Sequence, residues 1–233
     1  MRTEILRVFT LFFFLCLIVG CGSSSSTGGK TQNSKMRLIN YSWDLPKIDL
    51  EYNFQRVFQD VPYGEPTQFV NVKSGSNTST IFNEDYPTSI ISGSLSVRSN
   101  NEYDFIYFSS TTSPRLISLP ISKTKAELGR AKVRFAQFLP RTFNLSAYII
   151  SDRNQLDSIN PTFKNISSGD SSNYVEIAPG SYELVVFNKK QQEELIAQDI
   201  VIESGDISSI YVHGNDELGL PIEITVFNDS SNS

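Results

Sequence analysis

Two stretches of this chain are versions of one another. YGEPTQFVNVKSGSNTSTIFN, starting at Tyr63, lies over SGDSSNYVEIAPGSYELVVFN, starting at Ser168. Gly64 falls on Gly169, Val70 on Val175, Gly75 on Gly180, Ser76 on Ser181, Phe82 on Phe187 and Asn83 on Asn188, each pair 105 residues apart. The same offset carries Ile91, Leu95 and Val97 onto Ile196, Ile200 and Ile202, then Phe105 and Tyr107 onto Ile210 and Val212. Nearer the start the offset is 97: KMRLIN at Lys35 matches KVRFAQ at Lys132, with Arg37 on Arg134. The second copy therefore holds about eight extra residues between its first strands and its first Gly-rich turn. A repeat of this length means one architecture built twice, as two homologous domains.

Apolar residues alternate within each copy. Ile48, Leu50, Tyr52 and Tyr103, Phe105, Tyr107 take every second place in the first, and Tyr182, Leu184, Val186 and Ile222, Ile224, Val226 do so in the second. Period two over short runs, separated by Gly, Pro, Asn, Asp or Ser clusters, predicts half-buried antiparallel strands. Neither copy has a helical stripe of useful length. Six or seven strands per copy fit an all-β chain of two tandem antiparallel β-sandwiches. The expected boundaries are residues 36–122 for the first sandwich, 123–132 for a basic, solvated linker, 133–229 for the second sandwich and 230–233 for a polar tail. Gly75 and Gly180 are expected at turns that need a positive φ, and Phe82 and Phe187 are expected to plug their own cores.

The N-terminus has a different grammar. Arg2 and Arg7 precede an apolar run from Val8 to Val19, then Gly20 and Cys21. This is the layout of a secretory signal peptide, too short to remain as a spanning helix. Ile18, Val19, Gly20 and Cys21 resemble the bacterial lipoprotein lipobox. That resemblance implies cleavage between Gly20 and Cys21, diacylglycerol on the Cys21 thiol and an acyl chain, such as palmitate, on its amine. Cys16 is preceded by Phe13, Phe14 and Leu15 and lacks the small residue that the peptidase needs. Removing residues 1–20 from the 233-residue chain leaves 213 residues with no second cysteine, so no internal disulfide forms. Arg2, Arg7 and Glu4 leave with it, which takes the net charge from −5 to −6. An acidic body argues against nucleic acid as a partner. Gly22 stands where an inner-membrane retention signal has Asp, so by analogy with the enterobacterial sorting rule the outer membrane is the expected location. Residues 21–35, the lipidated Cys followed by Ser, Gly and Thr, read as a flexible tether with a reach of roughly 20 Å.

RLINYSWDLPKIDLEY, from Arg37 to Tyr52, and the VPYGEPTQFVNVKSGS segment after it resemble a family of bacterial secreted proteins and lipoproteins known only as a domain of unknown function. Arg37, Asn40, Ser42, Asp44, Asp49, Tyr63, Gly64 and Gly75 fit its pattern in copy one. Trp43 stands where the family usually has Pro. Copy two keeps Arg134, Gly169, Tyr174, Pro179 and Gly180 but reads FLPRTF in place of the Ser-Pro-Asp turn. The resemblance implies an immunoglobulin-like sandwich and an envelope location, and it brings no catalytic residues.

Chemistry is sparse. His213 is the only histidine, which leaves little room for acid–base or metal schemes, and no Gly-x-Ser-x-Gly elbow accompanies it. It reads as a strand-end residue beside Gly214. No cysteine pair or two-histidine motif suggests zinc, and the acidic loops lack calcium-loop spacing, so neither metal nor cofactor is expected. Trp43, in a polar turn beside Asp44, is the aromatic expected to be partly exposed, and the two are the candidate partner contact. The expectation is a non-catalytic envelope lipoprotein, a binding or structural module for a protein or glycan, its lipid partner reached through Cys21. Two alternatives stand beside it: an envelope hydrolase acting on peptidoglycan or polysaccharide through carboxylates such as Asp44 and Asp49, and an accessory subunit of a secretion or surface-fibre system whose sandwich edge accepts a strand.

Overall fold

The computed structural model describes residues 33–230 apart from 87, 141–142, 189 and 191–192. Gly20, Cys21 and nearly all of the expected tether lie outside the described residues. The first copy comprises β1 (Asn33–Ser42), β2 (Lys47–Tyr52), β3 (Gln55–Pro62), β4 (Val70–Lys73), β5 (Gly75–Phe82), β6 (Ile91–Val97), β7 (Glu102–Ser109) and β8 (Arg115–Pro120). The second comprises β9 (Ala131–Gln137), β10 (Leu145–Ile150), β11 (Phe163–Ile166), β12 (Val175–Ile177), β13 (Gly180–Asn188), β14 (Glu193–Ile202), β15 (Ile207–Asn215) and β16 (Leu220–Asn228). Asn33, Ser34 and Lys35, assigned to the tether from sequence, are the first residues of β1 and pair with β4.

Each copy is a sandwich of two four-stranded sheets, ordered β4-β1-β7-β8 over β3-β2-β5-β6 and β12-β9-β15-β16 over β11-β10-β13-β14. Adding eight to every strand number of the first gives the second. Among the described residues there are eight strands per copy where periodicity predicts six or seven, because β4, β11 and β12 are too short to show an alternation. One pair in each copy is parallel, β1 with β7 and β9 with β15. Parallel pairing needs a long crossover, which the intervening strands supply. The two offsets of the duplication reappear as matching bridges: Asn40 to Tyr63 and Gln137 to Ser168, Ile39 to Pro66 and Ala136 to Ser171. The eight extra residues fall between β10 and β11, around a 3-10 turn at Arg153–Gln155 whose arginine is paired with Glu183 and Glu194.

Met36, Leu38, Ile48, Leu50, Phe105 and Tyr107 fill the first core. Val133, Phe135, Leu145, Leu184, Val186 and Ile210 fill the second. Phe82 and Phe187 do not plug them. Ile81 and Val186 take the inward positions, so the next residue on each strand points to the outer face: Phe82 lies under the Arg56 guanidinium and Phe187 joins a satellite cluster with Tyr148 and Val185. Gly75 has φ +110°, but Gly180 is not among the positive-φ glycines. There the turn does not need the left-handed region.

The sandwiches stack face to face. Every residue of β7 and β15 is buried. The reason is that alternate residues of the inner sheets face a third core shared by both copies: Ile39, Tyr41, Ile106 and Phe108 from the first, Ala136, Phe138, Tyr211 and Phe227 from the second. Across this seam runs a buried polar cluster. The Arg37 Nε donates to Asp104 Oδ1 at 2.5 Å and its Nη2 to Asp229 Oδ1 at 2.8 Å. Arg134, its repeat mate, donates through Nη2 to Asp104 Oδ2 at 3.1 Å and to the Tyr211 hydroxyl at 2.7 Å, and through Nε to Ser209 Oγ at 2.8 Å. Tyr211 donates to Asp104 and Ser209 to Asp229. Two cations and two anions balance. Burial pushes the Asp229 carboxyl up to about 6, with Asp104 adding to the effect and Arg37 opposing it. Gly169, at φ +83°, closes the seam's edge: an added Cβ would stand 2.6 Å from Phe108 and 2.8 Å from Arg115. Its mate Gly64 has the same φ and no neighbour within 4 Å.

Candidate functional site

The turn between β1 and β2, Trp43 to Pro46, is held from beneath. Asn40 is buried, and its Nδ2 donates to the carbonyls of Leu45 (3.2 Å) and Val61 (3.3 Å) while its Oδ1 accepts from the Ser42 amide (2.9 Å). Ser42 Oγ donates to Asp44 Oδ1 at 2.8 Å. Asp44 Oδ2 accepts from the amide of Thr111 at 2.7 Å and its hydroxyl at 2.9 Å, tying the turn to the β7–β8 hairpin. Short polar side chains that bond their own or nearby backbone are what fix such a turn. With the turn fixed, Trp43 stands half-buried and Asp44 exposed.

A cleft of about 470 Å³ opens at this place, lined by Ser42 to Pro46 with Pro62, Tyr63 and Leu220. Two prolines, two aromatics and two leucines make its walls largely apolar. Leu220 comes from the second sandwich, so the cleft straddles the seam. Trp43 and Asp44, the residues singled out from sequence, are both in it. Tyr63 was visible only as the aromatic of a repeated turn, and Leu220 carried no signal because its place depends on how the two sandwiches stack.

His213 lies beneath the cleft. It lies near the end of β15, beside Gly214, and is buried, 1% exposed, on the seam face of the strand. Its Nδ1 is bonded to the Tyr63 hydroxyl at 3.1 Å and its Nε2 to Thr225 Oγ1 at 2.9 Å. The ring stacks on Tyr41 at 4.1 Å between centroids and 13° between planes. Burial holds its pKa down at about 4, so the imidazole is neutral at pH 7. Burial raises the Tyr63 hydroxyl to about 12, with Glu223 adding to it. Both ring nitrogens are occupied, and the imidazole serves the seam.

The carboxylates proposed for glycoside chemistry are likewise engaged. Asp44, though exposed, holds three donors, and the buried Asp49 accepts from the Asp60 amide at 2.7 Å and from Arg56 at 3.0 Å. Among the described residues no group of three or more His, Cys, Asp or Glu stands ready to hold a metal ion. A second cleft, about 610 Å³, lies where the β10–β11 insertion meets β13 and β14, lined by Ser151, Arg153, Tyr182, Glu183 and Asp199 among others.

The fold defines a tandem β-sandwich protein with a seam cleft. Residues 34–148 match the family model described as "Domain of unknown function (DUF4397)", in line with the resemblance of the opening strands. The match spans the first sandwich and runs on through β9 into β10. No curated protein matches the chain. Among solved structures it is similar to a family 41 carbohydrate-binding module of streptococcal virulence factors, described as recognising α-glucan (12% identity, TM-score 0.28, 85% of this chain and 98% of that one). Two others are the family 26 module CBMbc from Eubacterium rectale Amy13K in complex with maltoheptaose (10%, 0.25, 85% and 99%) and the fimbrial anchor protein Mfa2 from Porphyromonas gingivalis (9%, 0.24, 84% and 98%). Likeness at this level carries no argument about ligand or partner.

Proposed function

We propose that this chain is a non-catalytic lipoprotein of the cell envelope, anchored to the outer membrane through acylated Cys21, whose paired sandwiches serve as a binding or assembly module for a protein or glycan. The observation that carries the reading is the cleft at Trp43: an aromatic side chain half-exposed on a turn that is immobilised from below. A preorganised aromatic surface loses little conformational freedom on binding, which is why such residues dominate contact energies. Its apolar walls suit a sugar ring face or an apolar peptide side chain. Position supports the same use. The chain enters the sandwich at Asn33 and reaches the cleft at Ser42, so the ten residues of β1 set the cleft roughly 30 Å from the point where the tether joins.

The test is a photo-crosslinking residue placed at Thr67, outside the cleft lining, and at Leu220, within it, in cells that make the full chain. Specific neighbours captured from Leu220 and lost with Trp43→Ala, while protein level and fold are unchanged, are the expected result. The same neighbours captured with and without Trp43, or from both positions equally, would refute the cleft as the contact.

A further inference from the structure

An exposed sheet edge is a template for another strand, and among the described residues seven of the eight edge strands are protected against that. β4, β11 and β12 have four, four and three residues. β3 carries Arg56, Asp60 and Pro62 and has two breaks in register. β14 carries Glu193, Glu194 and Asp199. β16 carries Pro221 and Glu223 and a break in register. β8 begins at Arg115 and ends at Pro120, and its inner residues are half-covered. Charges, prolines, bulges and short length are the usual devices that stop edge pairing.

β6 has none of them. Its seven residues, Ile91-Ser-Gly-Ser-Leu-Ser-Val97, include no charge and no proline, and they pair with β5 without a break from Gly75–Val97 to Ile81–Ile91. β6 is the last strand of its sheet, so among the described residues no strand pairs with its other side. Ile91, Gly93, Leu95 and Val97 face the core, where Ile91, Leu95 and Val97 pack, and Ser92, Ser94 and Ser96 face out. Ser94 and Ser92 are bonded sideways to Ser76 and Thr80 of β5, at 2.7 and 3.0 Å, which ties the strand to its neighbour.

The strand is also complementary to itself. In an antiparallel pairing centred on Ser94, Ser94 meets Ser94, Ser92 meets Ser96, Ile91 meets Val97 and Gly93 meets Leu95. Each apolar inward residue finds an apolar partner, each serine finds a serine, and the glycine leaves room for the leucine opposite. No like charges meet. A two-fold axis normal to the sheet keeps both cores on the same side, which is the geometry of an isologous dimer. We infer that β6 pairs with β6 of a second copy of this chain, joining two four-stranded sheets into one of eight. This does not depend on what occupies the Trp43 cleft.

The symmetry makes the test specific. In the full chain carrying Cys16→Ser and Cys21→Ser, one cysteine is added at a time on the outward face of β6, and the protein is oxidised mildly at micromolar concentration. Ser94→Cys should form a covalent dimer at least tenfold faster than Ser92→Cys or Ser96→Cys, since only residue 94 faces its own copy. An equimolar mixture of Ser92→Cys and Ser96→Cys chains should give the mixed dimer. Adding Ser94→Lys to both members of that mixture should abolish it while the β-sheet circular dichroism is unchanged, because position 94 is solvent-facing. Equal crosslinking of the three single variants, no crosslinking in any, or a mixed dimer that survives Ser94→Lys would each overturn the inference.

Discussion

The single histidine offers a clean perturbation of the seam. With a folded pKa of about 4 against an ordinary 6.5, His213 binds a proton more weakly in the folded than in the unfolded state. Stability from this group is therefore complete above about pH 6.5 and is lost as pH falls through the window down to about 4. At ~1.4 kcal/mol per pH unit the loss amounts to about 3 kcal/mol, with no solvent discount because the ring is 1% exposed. Asp229 works in the opposite sense. Its folded pKa, raised from 3.8 to about 6, makes the folded state bind the proton first, so its contribution grows as pH falls through that window. The two nearly offset each other in the native curve, and a difference measurement is needed. His213→Gln keeps a donor and an acceptor for Tyr63 and Thr225 but does not titrate, and its lost stacking on Tyr41 is a pH-independent offset. Urea unfolding of both proteins from pH 7 to pH 4 should show the native advantage over His213→Gln shrinking by about 3 kcal/mol. The imidazole proton resonance, free of overlap in a chain with one histidine, should move near pH 4. Parallel stability curves, or a resonance that titrates between pH 6 and 7, would refute the argument.

Other residues allow equally direct tests. Gly64→Ala and Gly169→Ala impose the same left-handed strain of about 1–2 kcal/mol, but only the second drives a methyl into Phe108 and Arg115, so its urea midpoint should fall further, by about 1–3 kcal/mol more in free energy; equal losses would mean the seam yields there freely. Asp104→Asn leaves two buried guanidinium groups facing one carboxylate and should cost about 3–5 kcal/mol in equilibrium unfolding. In cells, Cys21→Ser should abolish fatty-acid labelling and release the chain from membranes, whereas Cys16→Ser should change neither.

Much of the architecture was legible because its signals are local. Tyr103, Phe105 and Tyr107 mark one face of β7 by their spacing alone, and the offsets of 97 and 105 by themselves reveal the extra eight residues. Phe82 and Phe187 show where local signals stop. Large aromatics at equivalent positions look structural, but a period of two gives both faces of a strand equal standing and only the packing chooses between them. Trp43 and Asp44 stood out as chemistry within one turn. Their cleft did not, since one of its walls belongs to the other copy.

Sequence by itself determined that the chain builds one sandwich twice, since alternation, turn residues and internal homology are written within a few residues of each other or repeated along the chain. Only the tertiary structure decided that the two sandwiches share a seam, that Arg37 and Arg134 meet across it around Asp104, and that His213 is buried between Tyr63 and Thr225. The contacts of Asp104 with the two arginines and of His213 with Tyr63 join residues 30 to 150 positions apart, and nothing in the spacing of either partner encodes the other. They arise when two preformed apolar faces exclude water from between them, and that event has no local signature.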